Sequence, residues 1–376
     1  MHPKYTDHPT YIDSSEQLLH FCHQWSQAPV LALDTEFIRT DTFYPIGALI
    51  QVSDGSGCFL IDPLAIDDFA PFKQLMTDTT IVKVLHSCSE DMEVFDRLLG
   101  VLPEPVVDTQ IAAALDGLGF SLSYQRLTEV LLDIHVPKGE TRSDWLQRPL
   151  TDSQIHYAAL DVAYLPELYQ RLHDSLDAKQ RLSWLREECD QLAINYRMNS
   201  AEHAYFKRIK SAWKLSPEEL GLLQTIIRWR EQMARDKDRP RGRILKDRAC
   251  FDIVKARPRD NRELAEIDDV GTQTVRHYGD DLLRMVKESQ HSTEFPERLP
   301  PPLPSETRSL AKALKAHVQH RAKHLQVAEE MLARKKDYEA LMRSGLDGGD
   351  YQLPESLNGW RKAVVGDELL AIARRH

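Results

Sequence analysis

Two hydrophobic rhythms divide the chain. From Val30 to Ile61 short apolar runs recur as Val30-Leu31-Ala32-Leu33, Ala48-Leu49-Ile50-Gln51-Val52 and Cys58-Phe59-Leu60-Ile61. The last two flank the turn-rich Ser53-Asp54-Gly55-Ser56-Gly57, a pattern that predicts a three-stranded antiparallel meander. From Ile81 strands and helices alternate. Ile81 to His86 reads as a buried strand, Glu90 to Leu99 as an amphipathic helix, and Val106-Val107-Asp108-Thr109 as a short strand running into a helix with Ile111 and Leu115. An antiparallel start followed by such alternation describes a mixed α/β sheet. Beyond about residue 200 strand signals fade and helical periodicity takes over.

Helix starts are well marked in two places. Thr151 and Gln154 form a capping box with Leu150 and Ile155 placed as a staple, so the segment His156 to Asp161 is helical, and Pro166 should kink or bend that helix. Ser216, Pro217 and Glu219 with Leu215 and Leu220 give a second complete start. Pro296, Pro300, Pro301, Pro302 and Pro304 make a semi-rigid linker, with more helix from Thr307. Gly279-Asp280-Asp281-Leu282-Leu283 recurs as Gly366-Asp367-Glu368-Leu369-Leu370, which suggests two related helical units or a chance similarity of two helix ends.

Composition narrows the class. At 376 residues, 42% hydrophobic and 28% charged, the chain has room for two or three globular domains. No apolar run approaches the roughly 20 residues of a membrane span, and Met1 to Tyr5 lacks a secretory signal, so a cytoplasmic monomer is expected. Cys22, Cys58, Cys88, Cys189 and Cys250 are scattered and never form a CxxC, which argues against disulfides and zinc. The net charge of −10 disfavours nucleic acid only at first sight, because the acidic excess lies in the first 200 residues and the remainder is net basic.

The chemistry begins at Asp34-Thr35-Glu36, where two carboxylates end an apolar strand. Residues i and i+2 of a strand share a face and lie about 6.6 Å apart, so both acids reach one site. Buried together they repel and call for a cation, unless the strand end emerges into solvent. Asp91 opens the helix after the Ile81–His86 strand, as a ligand or as a partner of the helix dipole. Tyr157 lies about 40° from Asp161 around the capped helix and His156 about 140°, so Tyr157 faces the site. Asp108 reads as a helix cap and Glu90 as a surface or supporting acid. Phe37 is a stacking wedge or a core residue, and Arg241 and Arg243, with Arg239, Lys246 and Arg248, form a phosphate-binding cluster or a solvated loop. Trp229 and Trp360 read as core.

Taken together, Leu33 to Phe37, His86 to Phe95 and Tyr157 to Val162 resemble the three motifs of the DEDD superfamily of 3′-to-5′ exonucleases in its tyrosine subclass, and within it the ribonuclease D family. Lys138 to Trp145 is also similar to a feature of that family, and the two helical units resemble HRDC domains. The resemblance implies an α/β ribonuclease-H-like exonuclease domain over 1–205, an HRDC domain over 210–293, the linker at 294–304 and a second HRDC-like domain over 305–376. It further implies that Asp34, Glu36, Asp91 and Asp161 hold two divalent metal ions, Mg²⁺ or Mn²⁺, and that Tyr157 places the attacking water. Thr35 or Glu36 would contact the terminal nucleotide. The implied activity is 3′-to-5′ exoribonuclease action on RNA, expectedly tRNA precursors, with a DNA-directed exonuclease or an inactive nucleic-acid-binding adaptor as the alternatives.

Overall fold

The computed structural model describes residues 6, 8–137, 139, 140, 143–200 and 202–376. Lys138, Thr141 and Arg142 of the family-like stretch lie outside them.

Six strands form one mixed sheet: β1 (Thr10–Ile12), β2 (Val30–Ile38), β3 (Ile46–Ser53), β4 (Cys58–Ile61), β5 (Val82–Leu85) and β6 (Val106–Asp108), in the order β1-β4-β3-β2-β5-β6. The expected meander is β2-β3-β4, antiparallel throughout. Its turn works because Gly55 takes a left-handed φ of 84° and the Asp54 carboxylate accepts from the Ser56 and Gly57 amides. β5 joins β2 in parallel, β6 joins β5, and β1, too short to announce itself in the sequence, pairs in parallel with β4.

Helices cover both faces. α1 (Ser15–Trp25), α2 (Ala70–Thr77) and α3 (Asp91–Leu99) pack Trp25, Phe72 and Phe95 against Leu31 and Leu33 of β2. On the other face α4 (Thr109–Asp116), α5 (Tyr124–Leu132), α6 (Asp152–Ala163) and α7 (Leu165–Ala178) enclose Ala32 and Val84. Pro166 does more than kink the capped helix: α6 ends at Ala163 and the proline sits in the first turn of α7, where its missing N–H costs nothing. α8 (Leu182–Ser200) follows.

The chain divides into two compact units. The second takes residues 39–45 and 197–302, with α9 (Pro217–Asp236), α10 (Arg241–Ile244), α11 (Asp247–Ala256), α12 (Asn261–Ala265) and α13 (Thr272–Glu288) around Leu223, Ile227, Ile253 and Leu282. The Ser216 capping box forms as read, with Pro217 at the first position.

Residues 303–376 belong to the first unit. Their helices α14 (Arg308–Leu325), α15 (Glu329–Leu332), α16 (Lys335–Ser344) and α17 (Asp367–Arg375) share one core with α4, α6 and α7. Trp360 stacks on Trp184 at 4.4 Å between centroids and donates from Nε1 to Glu188 at 2.8 Å. Arg361 grips the same carboxylate with both Nη atoms, at 2.5 and 2.7 Å. The two copies of the Gly-Asp-Asp/Glu-Leu-Leu pattern each bury the leucine three residues after glycine, Leu282 and Leu369, completely. Each glycine sits where a Cβ would meet a packed neighbour, Asn261 for Gly279 and Leu353 for Gly366.

Trp360→Ala removes an aromatic ring that closes a shared core. It is expected to cost about 3–5 kcal/mol, read as a lower denaturant midpoint for unfolding of the β-sheet unit. An unchanged midpoint would mean that residues 303–376 are merely tethered to it.

Candidate active site

Strand parity builds the first wall. Leu31 and Leu33 of β2 point into the α1–α3 layer while Ala32 points to the opposite one, so Asp34 and Glu36 continue the line of Ala32. Opposite them β3 carries a bulge, with Leu49 paired to Glu36, Gly47 to Phe37, and Ala48 left unmatched. Thr35, on the other parity, donates its hydroxyl to the Asp91 carboxylate at 2.5 Å. Asp91 is the first residue of α3, and the turn before it is held by Asp108, whose carboxylate accepts from the amides of Ser87 and Cys88 at 3.0 Å. Asp108 also caps α4 through the Gln110 amide, as the sequence suggested, and Glu90 is exposed.

α6 supplies the second wall. Its capping box forms in full, and Ala158 and Ala159, both fully buried, let the helix lie flush against the sheet. Asp161 and Tyr157 then share one face, near enough for each to perturb the other's ionisation. His156 turns elsewhere, with Nδ1 3.3 Å from the Thr6 carbonyl.

The four acids converge. Burial pushes Asp34 well above the carboxylate range, and the charges of Asp91, Asp161 and Glu36 push it further. Glu36 is raised to about 9 by burial and then by Asp161 and Asp91. Burial raises Asp161 to about 8 against the lowering effect of Tyr157, and Asp91 to about 6 against the bond from Thr35. Tyr157 is raised as well, by burial and by Asp161, Glu36 and Asp34, which keeps its phenol protonated. Asp91 and Asp161 are 7% and 8% exposed, while Asp34 and Glu36 are half-buried and open to a ligand. Among the described residues no three such groups yet close on one point as in a finished metal cage. The donor set, all carboxylate oxygen, nevertheless matches a hard divalent cation, whose charge would relieve the repulsion at Asp34.

The family-like stretch Lys138 to Trp145, to which the sequence reading assigned no role, supplies the residues packed against Tyr157. A Cβ on Gly139 would lie 2.2 Å from the tyrosine ring, so the backbone there rests directly on it. Trp145 packs on the ring at 6.1 Å between centroids. The segment is tied down by Arg148, which pairs with Asp62 through Nε and Nη2 at 2.6 and 2.7 Å and donates from Nη2 to the carbonyl of the bulged Ala48. A glycine within that family-like stretch is the one sequence signal that pointed to this contact.

The remaining candidates fare differently. Phe37 is half-buried at the end of β2. Arg241 and Arg243 lie in the second unit. There Arg241 pairs with the buried Glu231 at 2.7 Å and stacks on Phe43 at 4.6 Å, and Arg243, well exposed, is 3.8 Å from Asp41.

Known proteins resemble the chain over nearly all of its length. A family model described as a 3′-5′ exonuclease matches residues 9–177, an HRDC domain model matches 219–286, and a model of the ribonuclease D C-terminal HRDC domain matches 306–369. Ribonuclease D of Pseudomonas paraeruginosa is 44% identical over 362 residues, covering 96% of each chain. Ribonuclease D of Haemophilus influenzae is 35% identical over 376 residues, covering 96% of this chain and 92% of the relative. The crystal structure of Escherichia coli RNase D, described as an exoribonuclease involved in structured RNA processing, superposes with a TM-score of 0.90 at 31% identity, covering 98% of this chain and 99% of that one.

Two outcomes follow from the geometry. Below the ordinary carboxylate range near 4 the cluster is protonated in folded and unfolded protein alike and costs nothing. As pH rises through the raised values of about 6, 8 and 9, the folded state must lose protons it holds more tightly than the unfolded chain, so stability falls. A divalent cation cancels that loss, and its effect on the melting temperature is expected to grow from about pH 5 to about pH 9. A pH-independent effect would contradict the cluster. Gly139→Ala should displace Tyr157 and lower kcat by about 10²-fold, with little further loss when added to Tyr157→Phe. Full additivity of the two would show that Gly139 does not act through the tyrosine.

Proposed function

The chain belongs to the ribonuclease D family, and on that premise we propose that it removes nucleotides one at a time from RNA 3′ ends, using Asp34, Glu36, Asp91 and Asp161 to hold two divalent ions, Mg²⁺ or Mn²⁺. The single observation that carries this is that three acids from the same strand and two helices, Glu36, Asp91 and Asp161, lie near enough to Asp34 to raise its carboxyl. The family is a metal-dependent one of hydrolytic exoribonucleases. Such ions, when bound, activate water and stabilise the leaving oxygen of a phosphodiester.

The chain's own residues do the rest. Tyr157, with its phenol kept protonated, orients the attacking water by hydrogen bonding rather than acting as a base. Thr35 spends its hydroxyl on Asp91 and so positions a ligand, which leaves its backbone and Glu36 to border the terminal nucleotide. Phe37, next along β2, is the ring available to the terminal base. Of the two arginines, Arg243 is the freer for phosphate, since Arg241 neutralises Glu231.

Structured RNAs such as tRNA precursors are the substrates we propose, by likeness to the E. coli enzyme, which is described as involved in structured RNA processing. We place the protein in the cytoplasm, a setting supported by five free, buried thiols. Among the described residues no helix is long and apolar enough to cross a membrane.

Matched RNA and DNA oligonucleotides, with Mg²⁺ or Mn²⁺ and with chelator, test the reading. RNA should shorten from its 3′ end to 5′-monophosphates, chelator should abolish this, and Asp34→Asn or Asp161→Asn should each cost at least about 10²-fold in kcat. Preference for DNA, or full activity in chelator, would overturn it.

A further inference from the structure

A second surface of the first unit has the chemistry of a nucleic-acid contact. From Thr307 to Ala328 the chain carries no acid, while Lys312, Lys315, His320, Lys323 and His324 are exposed along α14. Near the end of that helix an open surface hollow of about 460 Å³ is lined by His320, Lys323, His324 and Gln326. Gln326 terminates α14 in the left-handed region, and its carbonyl accepts from Arg181 Nη1 at 3.3 Å. The same carbonyl is the close neighbour of Gly117, where a Cβ would approach to 2.3 Å, and the Ala328 amide donates to the Ala114 carbonyl at 3.0 Å. The hollow therefore opens beside the loop that leaves α4.

That loop displays an aromatic ring. Gly117, Gly119 and Ser121 all take positive φ, and the Leu122 carbonyl is held by His86 Nε2 and Gln110 Nε2, both at 2.9 Å. The loop is thus tightly formed, yet it leaves Phe120 41% exposed. The exposed Arg334 guanidinium lies 5.4 Å from the centre of its ring. Three residues separate Phe120 from Gly117, so its Cα lies within about 11 Å of the residue that touches Gln326. An aromatic ring with a guanidinium beside it, on a loop whose start touches the end of a basic helix, supplies the parts from which proteins build sites for single-stranded nucleic acid.

We propose that Phe120, Arg334 and the hollow lined by His320, Lys323 and His324 form an RNA-binding subsite separate from the four acids, where a base stacks on Phe120 and a backbone phosphate pairs with Lys323. The proposal rests on the exoribonuclease reading and assigns to this surface a stretch of substrate upstream of its 3′ end. The ring supplies affinity without sequence preference, since every base has a face to stack. Lys323 supplies a charge that releases one counterion.

The test uses the full chain with Phe120→Ala and Lys323→Glu, on a dinucleotide and on a single-stranded RNA of about 16 nucleotides. Both variants should keep the wild-type kcat and KM on the dinucleotide, which also shows that they fold. On the long RNA, Phe120→Ala should raise KM roughly tenfold, and Lys323→Glu should raise it and flatten its salt dependence by about one ion. Equilibrium binding of the long RNA in chelator, measured alongside, separates this claim from the one beneath it. Wild-type protein that binds RNA, loses affinity in both variants and yet degrades nothing supports the subsite and sinks the exoribonuclease reading. Unchanged KM and unchanged affinity in both variants, with RNA still degraded, overturns the subsite and assigns the surface to an acidic protein partner instead.

Discussion

Four carboxylates, Asp34 with Glu36, Asp91 and Asp161 near it, are the constraint on which the first unit is organised. Like charges at this depth repel, and the fold confines them where side-chain retreat brings little relief. Three pieces of local structure enforce the confinement. Strand parity fixes Asp34 and Glu36, the Thr35 hydroxyl and the Asp108-held turn fix Asp91, and the Thr151 capping box starts the helix that brings Asp161. Their mutual repulsion opposes folding, and a bound divalent cation, as proposed for this family member, would relieve it.

Support for the site is distributed unevenly. Asp161 comes from a regular helix lying flush on the sheet through Ala158 and Ala159, and depends on little else. The tyrosine ring, by contrast, is braced by an irregular segment, with Gly139 against its edge and Trp145 beyond. That segment is anchored by one arginine, Arg148, which bridges Asp62 and the bulged Ala48. The β3 bulge therefore serves two ends at once: it lies opposite Glu36 and frees a carbonyl to hold the brace for Tyr157.

Much of this was legible in the sequence, for physical reasons. Period-two runs and a glycine turn disclosed β2-β3-β4, and two capping boxes located α6 and α9, because such signals are local. The choice of Tyr157 over His156 followed from helix angle alone, and in the fold Tyr157 lies near Asp161 while His156 meets Thr6. What stayed hidden is non-local. Nothing in residues 305–376 tells that Trp360 will stack on Trp184, nor in Arg148 that its partner is Asp62, 86 residues earlier. The bond from the Thr35 hydroxyl to Asp91 was equally hidden, because it spans 56 residues. Arg241 looked free because Glu231 is an acid on an amphipathic helix, and only the fold buries it.

The central claim is that the acid cluster is a cation site built by the fold, and counting ions tests it most directly. Mn²⁺ titrated into metal-free protein and followed by electron paramagnetic resonance should show two ions bound per chain, with at least one lost in Asp34→Asn while the protein stays folded. No saturable binding, or binding untouched by that substitution, would contradict the account.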